Sequence, residues 1–479
     1  MSKILRISIL LLSLGITVAA YFLLRDSYPT LATKTRPAVI AKPASPAMLA
    51  LRRSNFAELD TLFASVEAAA ETDGDAERRL HLMLNDFGYA SEEDRKQMDI
   101  WATEGGHHAQ LALSRFHRVR GYLTRGDAYA SKIDPVRMTR FRTQSRQAYV
   151  HAEQATLTHP NCGVAYGLML DALVGISDRR EIDAVFQRSQ KAAAQWRSPL
   201  FSYLYALHPN WYGKPGERKQ VIERFAQQNP DHDALKGIQA YEEVRLADLA
   251  IGDHKYGEGM ILADYALEKA PNNASAWESK GRAFRGVQRA PDALQAFDKS
   301  IELDPFNATA YRQRGQLRLI MDNAAGQEDL VQAAMLGDTW ALKQALWNWL
   351  TGNTTGVAKD MSRIPELCER ASQAGIPDGV FCVATMHYFG YGVPQDMKKG
   401  VELMRAAADI GVSDAMSDVG KILWTGNAAA GITQDKEQAV RYWIRAAAID
   451  NDRALVEISQ IKNDPELMAL VQKIVNEKP

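Results

Sequence analysis

Cysteine is scarce: the 479 residues hold only Cys162, Cys368 and Cys382. Three are too few for a disulfide framework, and their spacing matches no zinc pattern. Charge of one sign is missing too. The formal net charge is -1, so no bulk positive field gathers nucleic acid or anionic lipid, and no nucleic-acid partner is expected. Alternating runs of the strand type are few. No stretch reads as a phosphate loop, a nucleophile elbow or two histidines flanking a glutamate at zinc spacing. On motif grounds there is no catalytic residue, no cofactor and no metal ligand, so the expectation is a protein that is not an enzyme. With 46% hydrophobic and 24% charged residues, the composition is still that of a folding chain.

What is present begins at the N-terminus. Lys3 and Arg6 precede an uncharged run, Ile7 to Leu24, closed by Arg25 and Asp26. At the helical rise it spans roughly 27 Å, about one hydrocarbon core. Residues 1–25 are therefore expected to be a cytoplasmic stub and a transmembrane signal-anchor. The bulk of the chain then lies in the periplasm, across the inner membrane. The rival is cleavage near Ala20, where Val18-Ala19-Ala20 supply small residues. Tyr21 to Leu24 continue the apolar run beyond that point and favour an uncleaved anchor. Pro29, Pro37, Pro43 and Pro46 mark residues 26–49 as a flexible linker.

The remainder is rich in Ala, Leu, Glu, Gln and Arg, which favour helix. It is too long for one ordinary domain unless it repeats. It does repeat. A shift of 34 places Pro271 on Pro305, Trp277 on Tyr311 and Gly281 on Gly315. Trp277, Gly281, Phe284, Ala293, Phe297 and Pro305 resemble the tetratricopeptide repeat at its usual offsets. Lys280 departs from that pattern, as do Arg314 and Arg318 in the second copy, because all three stand where apolar residues are usual.

A second repeat follows. A shift of 36 brings Gly379 onto Ala415 and Gly390 onto Gly426. After a longer loop, a shift of 39 brings Asp396 onto Asp435 and Gly411 onto Asp450. Tyr388-Phe389-Gly390-Tyr391-Gly392-Val393, Asp396, Ala406-Ala407-Ala408 and Gly411 resemble the SEL-type (Sel-one-like) repeat. The resemblance implies helical hairpins related to the tetratricopeptide repeat. Trp340, Trp347 and Trp349 are assigned to a degenerate first copy.

Residues 50–245 show helical periodicity without a clean repeat. Phe56, Leu59-Asp60, Trp101, Ala109-x-Leu111-Ala112-Leu113, Arg125-Gly126, Phe141, Ala148, Ala152 and Pro209-x-Trp211 resemble a bacterial domain-of-unknown-function family, number 4034. That resemblance implies a mostly helical region and brings no activity. The chain departs from the family at Gly105-Gly106-His107-His108. The expected fold is thus all-α, a helical-hairpin solenoid behind one membrane helix. Its parts are the helical domain over 50–245, tetratricopeptide-like repeats over 246–337, SEL-type repeats over 338–450 and capping helices over 451–479.

Several groups invite chemistry. Neighbouring His107 and His108 point about 100° apart on a helix and chelate one metal poorly, so a helix-start or solvent role is expected. His151 and His159 read as surface or packing residues. Arg125-Gly126-Asp127 reads as a chance tripeptide. The Asn210 to Gly216 loop carries Trp211 and Tyr212, expected to cap the core, with ligand binding as the rival. Cys368 and Cys382 flank a turn at similar distances and are a candidate disulfide; the rival reading is two small buried hydrophobes.

Solenoid geometry puts the first helix of each hairpin on the concave face. A candidate peptide-binding groove there comprises Ser275, Glu278, Arg282, Arg285, Thr309, Arg312 and Gln316. Its arginines suit an acidic or extended peptide of a protein partner. The competing reading is a solvated face with local pairs such as Glu278 with Arg282. The expected function is a membrane-anchored, periplasm-facing scaffold or adaptor for protein–protein interaction in the bacterial envelope. The alternatives are an enzyme with a non-motif site within 50–245, or a binder of cell-wall fragments.

Overall fold

A computed structural model describes residues 45–476, apart from positions 72, 105, 127–129, 210, 231, 233, 322, 353, 355 and 356. The proposed anchor, the cleavage site and linker residues 26–44 lie outside the described residues. Among the described residues no helix is long and apolar enough to cross a membrane. These residues are helical, with one isolated antiparallel bridge, Asn427 to Ile432, and no named strand.

The first helix, Pro46–Arg52, starts inside the stretch expected to be linker. Proline suits the first helical turn, and Ser45 caps it by accepting from Met48 N at 3.2 Å. Nine further helices follow up to Gln228, arranged without a period. Helix Gly163–Leu173 is apolar on nearly all sides, and its burial follows from that. Trp101 lies fully buried at 6.4, 5.9 and 6.1 Å from the rings of Phe56, Phe63 and Phe87.

Among the described residues fourteen α-helices from Ala234 to Asn476 follow as seven successive pairs along the chain, five of them packed as hairpins, while Thr339–Thr351 packs on Ala325–Met335 and Pro465–Asn476 on Lys436–Ala447. The expected boundary at residue 245 falls inside one helix, Ala234–Gly252. That helix is the first member of the first pair, so the two regions share it without a linker. Side-chain caps fix the period. Asn273, Asn307 and Asp338 cap the first helices of three successive pairs, each accepting from a backbone amide three residues on at 2.8 to 3.0 Å. A Cβ at Gly281 would stand 2.6 Å from the ring of fully buried Phe297, so only glycine admits that close approach.

The residues that break the repeat pattern have partners. Lys280 lies 2.6 Å from Asp264 and rides over the Trp277 ring at 5.3 Å. Arg314 and Arg318 converge on the buried carboxylate of Asp329 at 2.6 and 2.8 Å. By the shift of 34, Arg318 stands where the better repeat has Phe284, which trades packing for costly desolvation, whereas Arg314 matches Lys280, so both copies carry a cation at that register.

The turns between successive pairs form one edge of the array. Gly337, Gly375 and Gly411 all adopt positive φ, and Asp450 does the same at the position matching Gly411. This edge rests on the N-terminal helices. A Cβ on Gly337 would strike Leu123, one on Gly375 would strike Arg120, and one on Gly411 would strike Asp134 and Arg137. Asp450 pairs with Lys132 at 2.6 Å. Arg445 grips the buried carboxylate of Asp134 at 2.8 and 2.9 Å. Further up the array, Arg78 donates to Leu303 O at 3.0 Å, and Tyr89 stacks on Phe306 at 5.5 Å.

Candidate functional site

Ser275, Glu278, Arg282 and Arg285 lie on helix Ala274–Gly286. Thr309, Arg312 and Gln316 lie on Ala308–Ile320, the first helix of the next pair. Their charges already meet protein groups. Arg282 donates to Asp248 at 2.9 Å and lies 3.7 Å from Glu278. Arg312 donates to Asp338 at 2.7 Å. Glu278 accepts from Asn307 at 3.0 Å; burial pushes its carboxyl above the usual range, against the pull of Asn307 and Arg282. Arg285 differs, because its hydrogen bonds go to the neutral amide oxygens of Gln316, at 2.8 Å, and Gln313. Local pairing of Glu278 with Arg282 is therefore present, and Arg285 keeps a charge that its bonded partners do not neutralise.

Ser275 and Glu278 also line a cavity of about 830 Å³ between the repeats and helix Gly74–Gly88. Its wall mixes both signs, with Arg78, Arg245 and Lys269 beside Asp75, Asp248 and Asp304. His81 and Arg197 are on the same wall. Here the chain brings a serine, a histidine and a carboxylate together. His81 Nε2 lies 2.6 Å from Ser198 Oγ, and Glu77 accepts from the Ser198 hydroxyl and, at 2.7 Å, from Ser198 N. The order matters. A carboxylate only accepts, so the serine proton is committed to Glu77, and His81 donates toward Oγ. Among the described residues no carboxylate is bonded to the His81 imidazole, unlike an activated nucleophile. Burial, followed by Arg115, pushes His81 down to about 3, so the ring is neutral near pH 7. Glu77 works as the cap of helix Ser198–Ala206.

A second cluster forms where three separate segments meet. Asp60 and Glu67 are seven residues apart on helix Phe56–Ala70, hence on one face. His107 and His108 open helix His107–Arg125, and Cys162 immediately precedes helix Gly163–Leu173. The sequence reading of His107-His108 as a helix start matches their place, but the solvent role does not. Both are buried. The Phe56–Ala70 helix covers them, which adjacent spacing on their own helix cannot reveal. Their Nε2 atoms lie 2.7 and 3.0 Å from the same oxygen, Glu67 Oε2, and His108 Nδ1 lies 3.2 Å from Asp60. His159 stacks on His107 with 3.5 Å between ring centroids. Burial alone would raise the Glu67 carboxyl; hydrogen bonds from His107 and His108 outweigh it and hold it well below the usual range. Burial, then the Glu67 charge, pushes the Cys162 thiol well above its ordinary value. No spacing pattern marks Asp60, Glu67 or Cys162 as partners, since 95 positions separate Glu67 from Cys162 (162 less 67).

Other expected features are placed as follows. His151 packs against His117 with 5.4 Å between parallel rings and bonds Gln110 at 2.8 Å. The Tyr212 hydroxyl accepts from Gly175 N at 2.9 Å and donates to Leu173 O at 3.3 Å, closing the end of helix Gly163–Leu173. Trp211 packs beside it. Cys368 and Cys382 are joined as a disulfide with Cα atoms 5.2 Å apart. Asp127 and Asn210 lie outside the described residues.

Paired helices that repeat through glycine turns define a class. The fold is that of a helical-hairpin repeat protein. Residues 382–412 and 413–451 match the Sel1 repeat family model. Two curated relatives, Hsc70-interacting proteins 1 and 2 of Drosophila melanogaster, are each 32% identical over 99 residues, 20% of this chain and 26% of theirs. The chain thus spans about a quarter of the length of these relatives. Among solved structures, a Sel1 repeat protein from Oxalobacter formigenes is 22% identical with a TM-score of 0.36, covering 49% of this chain and 97% of that one. The c5321 protective antigen of uropathogenic Escherichia coli, which displays an SLR fold, is 18% identical with a TM-score of 0.38, covering 60% and 59%.

Proposed function

We propose that this chain is a scaffold or adaptor that binds protein partners through its repeats, and that it is held at a bacterial inner membrane with the repeats in the periplasm. The binding half rests on one observation. The stacked helices from Ala234 to Asn476 present a broad outer surface, while the edge formed by their turns rests on the chain's own N-terminal helices. In this reading residues 7–24 are the anchor, 26–44 the tether, 50–245 a domain akin to family 4034, and the remainder the binding array. The relatives named for interacting with Hsc70 fit a protein partner for the repeats. Arg285 is the groove residue best suited to an acidic or extended segment, because a carboxylate would replace two neutral amides at a full positive charge. The cellular half is supported by Lys3 and Arg6 before the apolar run, and by a Cys368–Cys382 bond that suits an oxidising compartment.

One experiment addresses both halves. A photo-crosslinker is placed at Arg285, or at Glu302 on the outer helix as a control, in full-length protein in intact cells. Thiols are then alkylated with and without prior reduction. The expected result is a discrete protein adduct from position 285 that is weak or absent from 302, with two cysteines reactive only after reduction. Equal adducts from both positions would remove the groove. Freely reactive Cys368 and Cys382 in unreduced cells would remove the periplasmic assignment.

A further inference from the structure

The geometry points to a zinc-class metal site in the N-terminal helices, formed by Glu67, His107 and Cys162, with His159 at its open side. One ligand atom from each of the first three residues lies within 4.8 Å of the others. They come from two helices and the residue capping a third, so the fold itself supplies the preorganisation that neighbouring histidines lack. The donor set is one carboxylate oxygen, one imidazole nitrogen and one sulfur. That set suits a borderline ion such as Zn²⁺ and disfavours Mg²⁺ or Ca²⁺, which take oxygen ligands at higher coordination number.

Three further observations mark a place for a ligand. A cavity of about 420 Å³ opens onto the cluster, lined among others by Glu67, His107, His159, Cys162 and Trp196. Trp196 is 2% exposed, and its Nε1 is buried without a hydrogen-bond partner. That donor on the cavity wall suits a water or anion held by the metal. His108 bridges Glu67 and Asp60, at 3.0 and 3.2 Å, in the manner of an outer partner that orients a ligating carboxylate.

A Cys162 thiolate and the Glu67 carboxylate together neutralise a divalent ion. On binding, the thiol proton of Cys162 goes to solvent as the sulfur–metal bond forms, and no electron is transferred.

The test uses full-length, unreduced protein in detergent, freed of metal with a chelator and titrated with Co²⁺. Cys162 is the free cysteine, so a thiolate-to-cobalt charge-transfer band reports this site. The expected result is one equivalent bound, an intense band, proton release, and displacement by Zn²⁺. Cys162→Ser should abolish the band. Cys162→Ser and His107→Gln should each weaken Zn²⁺ binding by roughly tenfold or more, while His151→Gln, outside the cluster, should not. Circular dichroism of the metal-free variants identifies any that fail to fold, and the wild-type band stands as evidence without them. A folded wild type that gives no band would overturn the assignment. So would folded Cys162→Ser that binds Zn²⁺ as tightly as wild type. Neither result bears on partner binding by the repeats.

Discussion

Trp101 and Trp443 are both fully buried, one among the N-terminal helices and the other in the second matched Sel1 repeat. Trp101 meets Phe56, Phe63 and Phe87, from two other helices and up to 45 positions away (101 less 56). Trp443 meets Trp424 at 5.3 Å and donates to Ser417 O at 3.3 Å, reaching back 26 positions. Equal burial is thus achieved by long-range closure in one region and by neighbour stacking in the other. Stability in a stacked array is close to a sum over neighbours, whereas an aperiodic core stands or falls together.

The largest effect should come from emptying each core. Trp101→Ala and Trp443→Ala should each cost about 3–5 kcal/mol. Their consequences should differ. Hydrogen exchange on Trp443→Ala should show lost protection confined to the last helices, about residues 397–476. Trp101→Ala should lose protection across the N-terminal helices and along the repeat edge resting on them. Uniform loss in both variants would erase the distinction between the regions.

A smaller effect should follow from cutting the joint between them. Asp134 caps helix Pro135–Thr158 through Val136 N at 2.9 Å and receives both Arg445 bonds. Asp134→Ala removes a cap and a bidentate pair. The stranded Arg445 is partly hydrated, so the expected loss is about 2 kcal/mol in denaturant titration. If the last repeats keep wild-type exchange rates in that variant, the edge contact does not couple the regions.

The smallest effect is a pH dependence of the N-terminal side. His81 is held neutral, with its pKa lowered to about 3 by burial first and Arg115 second. The folded state therefore disfavours its protonation. The stability from a neutral His81 is full above the unfolded value, about 6.5, and is lost as pH falls from there toward 3. With its ring edge on a solvent-reached cavity, the effect should be on the order of 2 kcal/mol. Melting curves of His81→Gln against wild type should show a shallower acid slope in the variant. Parallel slopes would mean that the buried imidazole carries no such term.

Legibility followed the same divide. The repeat period, Gly281 against Phe297 and the turn glycines were readable because their partners recur at fixed spacing. The match at Asp450 was readable too, and its positive φ shows why a glycine position tolerates it. Repeat register singled out Arg282 and Arg312, yet their carboxylate partners Asp248 and Asp338 lie one pair away on either side. Only the stacking brings those partners near. The histidine cluster was invisible for a stronger reason. Its members come from three separate segments with no spacing rule between them, so neither helical periodicity nor a ligand motif connects Glu67 to Cys162.

By itself the sequence determined the helical content, the hairpin period and the turn positions, because each depends on residues within a few tens of positions. The tertiary structure alone decided which face of the array is covered, which arginines are spent internally, and which buried acid meets two histidines and a thiol. Those outcomes depend on helices distant in the chain closing on one another, and that closure is set by packing as a whole, not by any local pattern.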